Sequence, residues 1–215
     1  MKRDYGDLEK DFLFLNFNFK SKKILEIGCG DAYYTELFLS IAKECVVIEP
    51  DKQKIEEAGK KLSRFKDRVK ILHGLTESFL NTLDTDFDVI VFSYSLHHHD
   101  NPEQILKEVL PLLKKGGLII IMEPVFEGEY CQFMSDFHDE SIVLKRTDEI
   151  LNNFPLDNKK MSQIEVNWFF NDEKDVENFF IKFSVSSDLI LRNLEKFPKR
   201  KIILKDIVNI WEIKK

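Results

Sequence analysis

Two glycines and one glutamate carry the clearest chemistry in this chain. The segment ILEIGCGDAYYTELFL places Gly28 and Gly30 in a turn between a short apolar run and an amphipathic stretch. Glycine tolerates positive φ and lets the backbone come close to a ligand. A helix that starts there aims its first N–H groups at whatever sits over the turn. Glu49 stands nineteen residues after Gly30, at the end of the next apolar run, VVIEP. A carboxylate in that place can accept hydrogen bonds from two adjacent ribose hydroxyls. These residues point to a nucleoside ligand. A dinucleotide loop, G-x-G-x-x-G, would have its last glycine where Tyr33 stands. That side chain would block the close approach of helix, strand and pyrophosphate.

The elements that must position these groups follow from periodicity. Residues 4–19 read as a helix and a turn, with Leu8, Phe12 and Leu15 on its packing face. Strands are expected at 24–27, 46–50, 68–74, 87–95 and 118–124. Helices are expected at 32–43, 55–65 and 102–117, the last closed by Gly116 and Gly117, with a short helical stretch to about residue 83. The strands at 87–95 and 118–122 are apolar on both faces, the pattern of a parallel sheet covered by helices on both sides. Right-handed crossovers then make a doubly wound α/β sheet the economical architecture. From residue 125 the alternation stops. Residues 126–152, 172–183 and 186–197 read as helices, and 162–170 and 201–214 as strands. There is no linker-like tract and no repeat, so one domain is expected: an N-terminal helix at 1–20, a core at 23–124 and an elaborated part at 125–215.

In order along the chain, ILEIGCGDA, VVIEPD, FDVIVFSYSLHHHDNP and LPLLKKGGLIIIMEP resemble a class I S-adenosylmethionine-dependent methyltransferase. They are most similar to the small-molecule branch that includes ubiquinone- and menaquinone-biosynthesis-type methyltransferases. The resemblance covers residues 24–124 and weakens beyond them. It implies a Rossmann-like seven-stranded sheet in the order 3-2-1-4-5-7-6 with C-terminal helices, and S-adenosylmethionine as cofactor with S-adenosylhomocysteine as product. It also implies roles. Glu26, Gly28, Cys29 and Gly30 would lie under the methionine and ribose part, Glu26 facing the amino group. Glu49 would hold the ribose hydroxyls, and Pro50 would line the adenine edge. The acidic residue that often reads the adenine amino group is replaced by Leu75, so adenine contact would come from Leu75 itself or from Thr76 or Glu77. Ser93, at the end of the fourth strand, would pass near the cofactor or substrate.

The substrate side is less determined. Phe126, Tyr130, Phe133 and Phe137 are spaced to share one helix face; they would form a lid over the substrate or dock that helix on the core. Tyr130, Phe133 and Glu123 are the candidate substrate contacts, and Glu123 would otherwise cap a loop. His138 is the candidate general base, because an imidazole titrates near neutrality; the other reading is an exposed helix histidine. In an extended chain His97 and His99 would share a face and His98 the other, and no metal-ligand spacing is evident. Methyl transfer from a sulfonium is an in-line displacement, and a base is required only where the acceptor must lose a proton.

Composition sets the outer bounds. Lys plus Arg number 32 against 38 Asp plus Glu, a net charge of −6 that argues against a nucleic-acid substrate. The basic cluster KFPKRKIILK (196–205) reads as a solvated turn. No apolar run is long enough to span a bilayer, and three cysteines without a pairing or metal pattern suit a reducing cytoplasm. The expectation is a cytoplasmic monomer or homodimer acting on a small-molecule methyl acceptor, with no nucleic acid and no membrane as partner. Two other classes use such a fold. An NAD(P)-dependent oxidoreductase is opposed by Tyr33 and by LKKGGLIIIMEP. A non-catalytic binding or regulatory module would accommodate the departures at Ala32 and Leu75.

Overall fold

The structure is a computed structural model that describes residues 2–3, 5–156, 158–181, 185–195 and 202–215. Seven main strands are β1 (Lys23–Ile27), β2 (Glu44–Glu49), β3 (Val69–His73), β4 (Phe87–Ser93), β5 (Leu113–Pro124), β6 (Lys159–Phe170) and β7 (Ile202–Lys214). They form one sheet in the order β3-β2-β1-β4-β5-β7-β6, and a two-residue strand, Lys2–Arg3, adds to the β6 edge. The pairs β1·β2, β2·β3, β1·β4 and β4·β5 are parallel. Against β5 the last strand runs antiparallel: Gly116 N donates to Lys215 O, and further along Val125 N donates to Ile207 O. The doubly wound sheet with an antiparallel end is therefore present. Chain packing divides it into two compact units.

The first unit comprises Phe17–Glu123, Arg146–Ser162 and Asn209–Lys215. Its core is built on the central strands. Ile27, Ile48, Ile90, Phe92, Ile119 and Ile121 are all fully buried, and side chains of this size contribute about 1.5–3 kcal/mol each on burial. The helices α2 (Tyr33–Leu39), α3 (Lys52–Lys61), α4 (Pro102–Val109) and α6 (Ser141–Asn153) accompany it, α6 mostly within this unit. Their starts are chemically legible. The Asp51 side chain accepts from Lys54 N at 3.0 Å to open α3, and Asn101 accepts from Gln104 N at 3.1 Å to open α4, with Pro102 in the first turn.

Helix α4 ends earlier than expected. Pro111 has no N–H to continue it, and the chain tightens into a 3-10 turn at Leu110–Leu112. Gly116 and Gly117 therefore lie inside β5 instead of stopping a helix. They sit where the β4·β5 register slips: Phe87 is opposite Leu113, but Val89 is opposite Leu118. Such a bulge is a usual place for glycine.

The second unit comprises Met1–Asn16, Pro124–Lys145 and Gln163–Val208. It includes α1 (Tyr5–Asn16), α5 (Glu129–Ser135), α7 (Glu173–Ile181) and α8 (Ser187–Leu194). The packing face of α1 differs from the one read from spacing. Leu15 is 84% exposed, and Glu9 and Leu13 are fully buried. Apolar residues surround this helix at Leu8, Phe12, Leu13, Phe14 and Leu15, so the period alone does not fix one face. The expected helix over 126–152 is two helices. Phe137 N and His138 N close α5 on Met134 O, and the Asp139 side chain accepts from Ser141 N to start α6. Residues 196–201 of the expected solvated turn lie outside the described residues.

Candidate active site

The residues expected to hold a nucleoside converge at the carboxyl ends of β1, β2 and β4, all within the first unit. That edge of an open parallel sheet is where ligands bind. Gly28 (φ 71) and Gly30 (φ 54) both use left-handed backbone, and so does Ala32 (φ 64). The loop is held low because Gly28 N and Cys29 N both donate to Ile48 O of β2, at 2.8 and 3.1 Å.

The two glycines do different work. A Cβ on Gly28 would lie 2.3 Å from Ser95 Cβ. This corrects the expectation that Gly28 leaves room for the ligand: its missing side chain leaves room for the loop after β4. Ser95 fixes the contact by donating to Ile27 O at 2.5 Å. A Cβ on Gly30 would meet nothing within 4 Å. Gly30 is the glycine that opens to space, and there the backbone can meet a ligand closely.

Glu49 reaches back across this opening. Its Oε2 accepts from Gly30 N at 2.8 Å and its Oε1 from Asp51 N at 3.0 Å. A carboxylate offers about four lone-pair sites, so two sites remain for hydroxyl donors. Glu26 is buried beside it. Thr35 Oγ1 donates to Glu26 Oε2 at 2.5 Å, and Ser93 Oγ donates to Oε1 at 2.9 Å. Burial pushes the Glu26 carboxyl up to about 7; the Thr35 and Ser93 hydroxyls oppose this, and Asp31 and Glu49 add to it. The Cys29 thiol is buried, and burial, then Glu26 and Glu49, push its pKa far up, so it stays protonated. It is a packing residue and not a nucleophile.

Residues after β2 and β3 form the outer rim. Pro50 is exposed, and its carbonyl lies 3.1 Å from His73 Nε2. Leu75 is 62% exposed, and Thr76 beside it is buried, with Oγ1 3.1 Å from His99 Nε2. The histidine run is not extended. Leu96–His98 form a 3-10 turn, because Glu123 at the end of β5 collects it. Glu123 Oε1 accepts from Leu96 N and His97 N, at 2.9 and 3.4 Å, and Oε2 bonds His97 Nδ1. The loop-capping reading of Glu123 is thus realised.

The remaining candidates belong to the second unit. Phe133 is buried against Phe137, and Tyr130 stacks on Trp168 at 4.2 Å. Helix α5 has only seven residues, so Phe126 and Phe137 lie outside it and the four aromatics do not form one helical stripe. The His138 ring is 71% exposed and lies 3.2 Å from Glu140, the arrangement of a solvated histidine. Spacing did not single out Thr35, Ser95 or the His97–Glu123 pair. Thr35 left a trace: it is a polar residue on the face of α2 that carries Tyr34, Phe38 and Leu39.

The family described as "Methyltransferase domain" matches residues 25–121. Over those residues, a little under half of its length, the chain is similar to that family. The matched residues contain the Gly loop, Glu49, Ser93 and the histidine run. The uncharacterized methyltransferase YcgJ of Bacillus subtilis is 26% identical over 128 residues, covering 56% of this chain and 50% of that protein. The mitochondrial ubiquinone biosynthesis O-methyltransferase of Schizosaccharomyces pombe is 28% identical over 106 residues, 48% of this chain and 38% of that one. The chain spans about half the length of these curated relatives and others it matches. The crystal structure of the Bacillus subtilis YcgJ protein has the same fold, with a TM-score of 0.68 at 17% identity, covering 98% of this chain and 97% of that one. The O-methyltransferase of Bacillus cereus in complex with SAH aligns with a TM-score of 0.58 at 16% identity, over 100% and 82% of the two chains. Both alignments show likeness of fold. No helix among the described residues is long and apolar enough to cross a membrane.

Proposed function

We propose that this chain is an S-adenosylmethionine-dependent methyltransferase acting on a small organic acceptor. The observation that carries the reading is the Glu49–Gly30 arrangement: a carboxylate bonded to the amide of the glycine that opens to space. A nucleoside fits this donor set. The free lone pairs of Glu49 suit two vicinal hydroxyls, and the Gly30 backbone admits the sugar where a Cβ would stand. Glu26 suits an ammonium group, because its carboxylate faces hydroxyl donors and, among the described residues, no fixed cation. Tyr33, 38% exposed, stands where a dinucleotide loop needs glycine.

When bound, the cofactor supplies a methyl group on a positively charged sulfonium. The protein's part is placement. Glu49 orients the ribose, the Gly28–Ser95 contact holds the loop, and the ends of β4 and β5 are tied by Glu123 and His97, so the reacting atoms are aligned before reaction. An acceptor that keeps no proton on its nucleophilic atom needs no base. The likeness to proteins named O-methyltransferases supports a hydroxyl-bearing small molecule as acceptor; as its O–C bond forms and the S–C bond breaks, that hydroxyl must give up its proton, to solvent or to a base.

Glu49→Ala tests the reading. Two lost hydrogen bonds to a charged acceptor weaken cofactor binding by about 1–3 kcal/mol, or roughly 5- to 150-fold in Kd. Titration calorimetry that returns the wild-type Kd would remove Glu49 from the site.

A further inference from the structure

We propose that cofactor uptake drives one proton off Glu26, and that Thr35 and Ser93 are the positioning residues that fit this carboxylate to receive the cofactor's ammonium group. The inference rests on the cofactor reading above and assigns a proton stoichiometry to it.

The geometry is that of a carboxyl built to exist in two protonation states. Glu26 is 1% exposed, and each of its oxygens meets a hydroxyl, Thr35 Oγ1 from α2 and Ser93 Oγ from the end of β4. A hydroxyl both donates and accepts. It can donate to an ionised Glu26 and turn to accept from a protonated one. Glu49 differs, because its partners are backbone N–H groups, which only donate.

The charged groups acting on Glu26 are acidic: Asp31 from the Gly loop and Glu49 from β2. Asp31 has its own cation, with Lys61 Nζ at 2.7 Å. The neighbouring Cys29 thiol is held protonated by the same burial. A carboxyl in this setting holds its proton to about neutrality. An ammonium placed within hydrogen-bond reach favours the ionised form and lowers the pKa by about 1–3 units. The O–H bond of Glu26 then breaks, the electron pair stays on the carboxylate, and the proton passes to solvent.

The test is calorimetric titration with S-adenosylmethionine and with S-adenosylhomocysteine at pH 6 and pH 7, each in two buffers of different ionisation enthalpy. The proposal predicts release of about 0.4–0.9 proton at pH 6 and about half at pH 7, with affinity falling by up to about tenfold per pH unit below 7. Both ligands keep the ammonium, so both release the same number. Glu26→Gln abolishes the release. Should that variant bind too weakly to titrate, Thr35→Ala moves the midpoint of release upward by removing a donor to the charged form, and Thr35→Ser restores it. Binding of both ligands at pH 6 without proton release would overturn the proposal. So would release that persists in Glu26→Gln, or release with S-adenosylmethionine alone. Absence of binding at every pH would overturn the cofactor reading itself, a different and recognisable result.

Discussion

Gly28 and Ser95 stand so close that a Cβ on the glycine would lie 2.3 Å from the serine Cβ. The loops that follow β1 and β4 therefore meet with no space for a methyl group. Gly28→Ala combines overpacking with a left-handed φ and should destabilise the fold by about 2–4 kcal/mol. Adding Ser95→Gly should recover part of that loss. Urea unfolding of the single and double variants checks this, and a Gly28→Ala protein as stable as wild type would contradict the contact.

Gly30 should behave differently. A methyl there meets open space, so Gly30→Ala strains only the backbone, by about 1 kcal/mol. It fills the place where a ligand approaches, so cofactor affinity should fall at least about tenfold, or 1.4 kcal/mol, with the fold retained. Equal affinity in the folded variant would place the ligand elsewhere.

Glu26 links stability to pH. Its carboxyl is raised from 4.5 to about 7 by burial. The folded state therefore binds more protons than the unfolded chain between those values. The stability associated with its protonated form is complete below about pH 4.5 and is lost as pH rises through 7, by about 3 kcal/mol in all. Glu26→Gln should flatten the unfolding free energy between pH 5 and pH 7.5. An identical pH profile in the variant would show that another group carries the linkage.

The buried pair of His97 and Glu123 ties the ends of β4 and β5. Truncating one partner leaves the other buried with unmet polar groups, so Glu123→Ala should destabilise by about 3–5 kcal/mol. In a double-mutant cycle with His97→Ala the coupling should exceed about 1 kcal/mol. Additive losses would mean that the pair is incidental to the turn.

The half of this protein that carries the Gly loop is legible in its sequence because each part has a local cause. Gly28 and Gly30 mark backbone that other residues avoid, Glu49 ends an apolar strand, and the strands at β4 and β5 are apolar on both faces. What escaped depends on distant partners. Ser95 is meaningful only because Gly28 lies against it, and the turn at 96–98 follows from a carboxylate twenty-seven residues away, between Leu96 and Glu123. The same reason separates the two helices of 129–153, where Asp139 makes a local cap that periodicity overlooks. Around α1 the apolar residues lie on every side, and only tertiary packing chooses Leu13 over Leu15.

The central claim is that a nucleoside sulfonium binds at Glu49 and the Gly30 opening. The most direct measurement is thermal unfolding with S-adenosylmethionine, S-adenosylhomocysteine, NAD and NADP, each well above its working dissociation constant. A ligand present at about 100 times its Kd adds roughly 2.7 kcal/mol. The account predicts a clear rise in Tm with the first two, lost in Glu49→Ala, and no rise with NAD or NADP. A rise with the dinucleotides alone, or with none of the four, would contradict it.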